Sequence, residues 1–278
     1  TADHLAWFAA KVNSGDNKIN AQLTADIDMS MTYCAPIGWS KISYSKGQDY
    51  DGKGFNGVFD GQGHTISNMT YDESKDARIC TGGVFGTVTG TVKNLLVARY
   101  STGDLVADGR FGGLVGVVLT GGLIENCGVI DSYVHRDGGI CAALAGTNYG
   151  GTIRYNNDVL AYQRSGRLIG DPADDNKVRI GTEENCFSQG YVAGDPTQGG
   201  YASEKIDNGE NFTEEQFASG EVAFKMNYRQ SAPAWFQTIG DDMYPVLDST
   251  HKQVYADGEF QCDGSPVPGT TLTYTNNE

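Results

Sequence analysis

The chain has 278 residues, 39% of them hydrophobic, with 38 glycines and a net charge of −15. That acidity excludes nucleic acid as a partner class, since phosphate binding needs clustered Lys and Arg, and it disfavours anionic lipid and polyanionic glycans such as pectate or alginate. No apolar run approaches membrane-spanning length and no signal peptide is readable, so a neutral or weakly charged ligand in an aqueous setting fits best.

Residues 1–14 open on cap residues and carry Leu5, Phe8, Ala9 and Val12 at helical spacing, with Gly15 closing the segment. The pattern predicts a helix that plugs the end of a hydrophobic core, with Trp7 on or beside its apolar stripe. A chain beginning on a helix cap reads as a module of a longer polypeptide. From Ile19 the period changes to two: Ile19, Ala21, Leu23, Ala25 and Ile27 alternate with polar residues and predict one strand. Residues 34–60 form a polar loop entering Val58-Phe59-Asp60. The run from Gly57 to Met69 then reads strand, tight turn, strand, on the turn chemistry of Asp60-Gly61 and Gln62-Gly63. His64 lies in that turn with no second His at metal-ligand spacing, which favours a structural or solvated role.

Residues 81–194 repeat themselves. Gly112-Gly113-Leu114-Val115-Gly116 leads through an apolar strand and a Gly-rich turn to a β-branched strand ending at Asn126. Gly82-Gly83-Val84-Phe85-Gly86 before it leads to Asn94, and Gly138-Gly139-Ile140-Cys141 after it leads to Asn156; the glycine pairs fall 30 and then 26 residues apart. Fainter copies end at Asn68 and Asn185. Self-similarity at this period signals a solenoid, whose stacked coils bury a continuous column that no coil buries alone. Asparagines 68, 94, 126, 156 and 185, spaced 26, 32, 30 and 29 apart, read as a ladder of side-chain amides at one corner of the coil. The six cysteines are scattered without a zinc spacing, and Cys127 and Cys186 follow repeat asparagines, so they read as small buried hydrophobes rather than disulfides.

Six or seven residues after Asn94, Asn126, Asn156 and Asn185 stands a tyrosine: Tyr100, Tyr133, Tyr162 and Tyr191. On successive coils these would form a column with about 4.8 Å between rungs, close to one sugar unit of an extended β-linked chain, and tyrosine offers an apolar face with a hydroxyl. The alternative is a stack of mutually supporting, partly buried rings. Arg99, Asp131, His135, Arg136 and Gln163 lie beside the column and suit sugar hydroxyls, with Asp137 and Arg164 next to them; as a plain surface they would be a solvated face with incidental ion pairs. A glycosidase would need two carboxylates about 5–10 Å apart, for example Asp131 with Asp104 or Asp108. With 35 acids such a pair is expected by chance. The cluster Asp171, Asp174, Asp175 and Asn176 has oxygens of the kind calcium takes but not the EF-hand spacing, and reads as a solvated acidic turn. No nucleophile–histidine arrangement or phosphate loop is present, and no cofactor is expected.

Thr213-Glu214-Glu215-Gln216 is a capping box starting a helix with Phe217, Val222, Phe224 and Met226. The segment from Pro233 to Tyr255 then predicts strand, turn and strand, and together they would seal the C-terminal end. Residues 1–255 form one domain on this reading, and 256–278 an edge strand or a linker.

The Gly-Gly-Leu-Val-Gly core, the Phe59–Asn68 run, the opening helix with Leu23–Ser30, and the ending from Gly220 to Lys252 resemble the GLUG-type right-handed β-helix modules of secreted proteins from gut-associated bacteria. The resemblance covers roughly residues 1–255 and implies a right-handed parallel β-helix. A branch of similar folds comprises carbohydrate-binding modules attached to xylanases (family 89). The resemblance implies a monomeric, non-catalytic, extracellular module that binds a neutral β-glycan, xylan first, and is attached to a catalytic domain. The rival expectations are a surface adhesin or spacer, and a β-helix glycosidase.

Overall fold

The structure, a computed structural model, describes residues 1–40, 42–43, 49–72, 81–105, 109–136, 140–159, 161–163, 168–170, 181–189, 209–258, 267–270 and 272–277. Helix α1 (Ala2–Asn13) is followed by β1 (Ala21–Gln22), β2 (Ile27–Asp28), the antiparallel pair β3 (Ile42–Ser43) and β4 (Asp49–Tyr50), then β5 (Val58–Asp60) and β6 (Thr65–Ser67). One coil runs β7 (Thr81–Gly82), β8 (Phe85–Val88), β9 (Thr91–Ala98), β10 (Ser101–Leu105). The next runs β11 (Arg110–Gly112), β12 (Val115–Leu119), β13 (Leu123–Ile130), β14 (Tyr133–Arg136). A third runs β15 (Ile140–Ala142), β16 (Ala145–Tyr149), β17 (Thr152–Arg154), β18 (Asn157–Val159), β19 (Tyr162–Gln163). Beyond them come β20 (Thr182–Glu184), β21 (Cys186–Gln189) and β22 (Gly209–Phe212).

Each strand pairs in parallel with its counterpart one coil away: β7–β11–β15, β8–β12–β16, β9–β13 and onward, and β10–β14–β19. The fold is a parallel β-helix of about three full turns, as the repeat predicts. Its N-terminal end is closed by α1, whose Phe8 meets Phe55 at 5.9 Å and Phe59 at 5.8 Å between ring centroids. Leu5, Ala9 and Val12 complete the buried stripe, and Thr1 caps the helix. Trp7 is off that stripe, 60% exposed.

The register corrects several readings of the repeat. The counterparts of Gly112-Gly113 in the third coil are Ala142-Ala143, because Gly112 pairs with Ala142; Gly138 and Gly139 lie outside the described residues. The glycine that recurs at one level is the last of the motif: Gly86, Gly116 and Gly146 stand in one row. A Cβ on Gly116 would lie 2.7 Å from backbone atoms of Arg110, Gly82 and Gly86. The tight approach of β12 to β11 and the preceding coil leaves no room for one.

The asparagine column also divides. Two corners of the solenoid use left-handed backbone, a conformation Asn and Asp tolerate better than most residues. Asn94, Asn126, Tyr155 and Asn185 occupy one (φ 52°, 51°, 57° and 49°), and Asn68, Arg99 and Asp131 the other (φ 59°, 52° and 47°). Asn156 is one residue past the corner and points into the core. Its Oδ1 accepts the Cys127 N–H at 2.7 Å and its Nδ2 donates to the Ile124 carbonyl at 3.2 Å, satisfying backbone groups where the corner interrupts the ladder. No amide ladder forms: Asn94 donates to Asp60, and Asn126 exchanges two hydrogen bonds with Gln230. The run from Ile19 to Ile27 is likewise not one strand. It bends at Thr24–Asp26, so that β1 pairs with β5 and β2 with β6.

Cys34, Cys127, Cys141 and Cys186 are buried free thiols, and burial pushes those of Cys127 and Cys186 up to about 12. Cys80 and Cys262 lie outside the described residues.

The C-terminal element does not seal the end of the solenoid; it packs against its side. Helices α2 (Glu214–Ala218), started by the predicted capping box, and α3 (Glu221–Asn227) cover an outward row made by Leu96, Gly128, Asn157 and Phe187. Trp235, fully buried, fills the space above Gly128, where a Cβ would meet its ring at 3.4 Å. The predicted strands beyond Pro233 reduce to an isolated antiparallel bridge between Phe236 and Val246. The tail returns as a strand: β23 (Tyr255–Asp257) pairs antiparallel with β24 (Thr273–Thr275), and Asn276 donates to the Gln237 and Gln253 carbonyls.

Candidate functional site

The tyrosine spacing predicts a column on the β10–β14–β19 face, and register decides its composition. Tyr133 pairs with Tyr162 on one side but with Ser101, not Tyr100, on the other. Tyr100 is one position earlier, 1% exposed, and its ring belongs to the core; its N–H donates to Ser132 Oγ at 3.1 Å. The spacing of six residues from Asn94 but seven from Asn126 hides a one-residue slip, and in a strand such a slip turns the side chain to the other face. Tyr191 lies outside the described residues. The column reduces to a row Thr70–Ser101–Tyr133–Tyr162.

Within that row Tyr133 is half-buried and stacks on His135, with centroids 5.7 Å apart and planes at 29°. A β-bulge makes room for this pair. Thr102 and Gly103 together oppose Val134, and Gly103 takes the left-handed conformation (φ 60°) that the bulge requires. Thr102 Oγ1 accepts the His135 N–H at 2.9 Å and donates to the His135 carbonyl at 3.0 Å, fixing β14 across the irregularity. Val134 points inward.

The other expected site residues separate. Arg99 and Asp131 sit at the left-handed corner beside the face, both exposed. Arg99 Nε donates to Asn68 Oδ1 at 2.7 Å, and Asn68 Nδ2 donates to Asp28 Oδ1 at 2.8 Å. That amide, with help from Ser30 and the Arg99 charge, holds the Asp28 carboxyl below its usual range. The corner is an electrostatic chain along the solenoid, and it engages Arg99 already. Gln163 pairs with Val134, one register position past the Tyr133–Tyr162 row, and Arg136 pairs with Leu105. Asp104 stands opposite His135 while Asp131 is at the corner, so the register does not bring those carboxylates opposite one another. Asp108, Asp137, Arg164 and the cluster Asp171, Asp174, Asp175 and Asn176 lie outside the described residues. Among the described residues no three His, Cys, Asp or Glu side chains gather as metal ligands, and no helix is long and apolar enough to cross a membrane.

A second concavity has no counterpart in the motifs of the sequence. Between α1 and the β1–β2 corner lies a cavity of about 340 Å³ with Trp7 on its wall. A Trp within the helix is the available signal, and the helical periodicity masks it, because the apolar stripe beside it accounts for the segment by itself.

The chain matches no family model. In an alignment that covers 47% of its length it is 30% identical to halomucin of Haloquadratum walsbyi, of which it spans 2%. A solved Bacteroides ovatus structure described as a "putative immunoglobulin A1 protease" aligns over 83% of this chain and 86% of that one, at 16% identity and a TM-score of 0.45.

Proposed function

We propose that this chain is a non-catalytic carbohydrate-binding module of an extracellular protein, and that it takes an extended neutral β-glycan along the β10–β14–β19 face. The observation that carries this reading is the pairing of Tyr133 with Tyr162 on adjacent rungs, with the Tyr133 ring backed by His135. Two aromatic positions about 4.8 Å apart, along a direction in which parallel strands repeat, match the repeat of an extended pyranose chain in step and direction. Stacking of C–H groups on the rings and hydrogen bonds to hydroxyls are individually weak, so affinity would be modest. The net charge of −15 favours a neutral polymer over an anionic one. Xylan is the first candidate on the family resemblance.

A surface spacer is the second reading, supported by the similarity to a stretch of halomucin. Affinity electrophoresis against soluble xylan, mixed-linkage glucan, mannan and arabinogalactan separates the two. Retardation without release of reducing sugar supports binding, and Tyr133→Ala should remove it. Unretarded migration on all four gels leaves the spacer.

A further inference from the structure

We infer that the cavity between α1 and the β1–β2 corner is a separate pocket for a single neutral sugar ring, a chain end or a side branch rather than the middle of a polymer. The inference deepens the carbohydrate reading but rests on different residues. At about 340 Å³ the cavity lies at the low end of the roughly 300–1,000 Å³ range of small-molecule sites. Its floor is apolar, formed by Phe8, Leu23 and Phe59, all buried. Trp7 forms a wall and remains 60% exposed, a large apolar surface held at the solvent boundary. The Lys11 ammonium lies 5.9 Å from its ring and limits its wandering.

The rim supplies the polar half of the chemistry. His4, Asn20, Gln22 and Thr24 line the cavity, and all four are exposed. Asn20 is held in place because its Oδ1 accepts the Val58 N–H at 2.8 Å, which leaves its amide NH2 as a donor. The side chains of Gln22 and Thr24 make no hydrogen bond among the described residues. The rim therefore presents uncommitted donors and acceptors around an apolar floor with an indole at its edge. This is the complement of a pyranose, which has an apolar C–H face and equatorial hydroxyls.

Charge narrows the ligand class. The chain carries 35 Asp and Glu residues, yet none of the cavity-lining residues is Asp, Glu, Lys or Arg. An ammonium ligand would find no carboxylate on this lining, and the hydroxyls of a neutral sugar suit the amides and hydroxyl of Asn20, Gln22 and Thr24. The cavity has also no room to pass a polymer through its floor, since Phe8 and Phe59 pack against each other there at 5.8 Å.

The test uses the whole chain and the methyl glycosides of xylose, glucose, galactose and mannose, followed by tryptophan fluorescence and by ligand-observed NMR. At least one glycoside should give a saturable signal. Trp7→Ala should weaken it about tenfold or more, and Gln22→Ala by about threefold, with unchanged melting temperature because both side chains are exposed. Tyr133→Ala should leave it unaltered. No saturable signal from any of the four, or full retention of binding in both Trp7→Ala and Gln22→Ala, overturns the pocket. Polymer retardation that survives Trp7→Ala and disappears in Tyr133→Ala while glycoside binding shows the reverse would establish two independent sites. Loss of polymer retardation alone would count against the extended face and not against the pocket.

Discussion

The indole Nε1 of Trp235 donates to the carbonyl of Tyr155 at 3.0 Å, and Tyr155 occupies the left-handed corner that Asn94, Asn126 and Asn185 hold in the other coils. The side cover of the solenoid is thus fastened at a corner, and again one coil earlier, where Gln230 and Asn126 exchange hydrogen bonds. A tyrosine carries a steric cost in that conformation, which Asn lowers. The carbonyl that Trp235 uses belongs to the backbone and survives substitution. Tyr155→Asn should therefore raise stability by several tenths to about 1 kcal/mol in urea titration, even though it removes the stacking of Arg154 over the ring at 5.5 Å. Trp235→Ala should lower stability by about 3–5 kcal/mol, since it empties a fully buried site. A destabilised Tyr155→Asn would mean that the ring, not the backbone, secures the corner.

Tyr100 and Tyr133 provide an opposed pair. Tyr100 is fully buried in the solenoid core, and Tyr133 is half-buried on the outer face. Tyr100→Ala should cost about 3–5 kcal/mol by denaturant unfolding, whereas Tyr133→Ala should cost about 1 kcal/mol and leave the circular dichroism spectrum unchanged. Equal losses in the two variants would contradict the register across β10 and β14.

That pair also separates what is legible in the sequence from what is not. Recurrent Gly-rich segments reveal a stack of coils, and Phe8 and Val12 at helical spacing reveal the plug, because both signals are local. Register is not legible, for two physical reasons. A strand alternates faces every residue, so the single extra residue between Asn126 and Tyr133 moves the site off Tyr100. Corner positions demand a backbone conformation rather than a side chain, and Arg99 and Tyr155 adopt it as Asn94 does. Asn156, a residue of corner type, is instead a core residue that mends a gap in the ladder. The sideways packing of α2 and α3 depends on Gly128 leaving space for Trp235, a long-range fit that no spacing announces.

The glycine row makes a prediction about the scaffold. A Cβ on Gly116 would meet three backbone atoms at 2.7 Å, none of which belongs to a side chain able to swing away. Gly116→Ala should cost about 3 kcal/mol or more, seen as a fall in the urea midpoint. Ala143→Gly, at a buried position that the preceding coil fills with Gly113, should cost only about 1 kcal/mol. Similar midpoints for the two variants would show that β11 and β12 are not held as closely as the structure places them.

Asp158 carries the pH dependence of the core. It pairs with Val129 on one side and Ser188 on the other, is 1% exposed, and faces the solenoid interior. Burial pushes its carboxyl up to about 7, against a hydrogen bond with Ser188 that acts in the opposite direction. The folded carboxyl keeps its proton to about pH 7, while the unfolded one loses it near its ordinary value of 3.8. Between those limits folding takes up a proton, so stability falls as pH rises, and above about pH 7 the whole cost is present, on the order of 4 kcal/mol. Asparagine imitates the protonated acid in shape and polarity without titrating. Asp158→Asn should match the parent protein near pH 4 and exceed it in melting temperature by several degrees at pH 8, and the difference between the two profiles should develop between pH 4 and 7. Subtracting the profiles removes every other titrating group. Parallel profiles across that range would mean that water reaches Asp158, and that the C-terminal coils are not sealed around it.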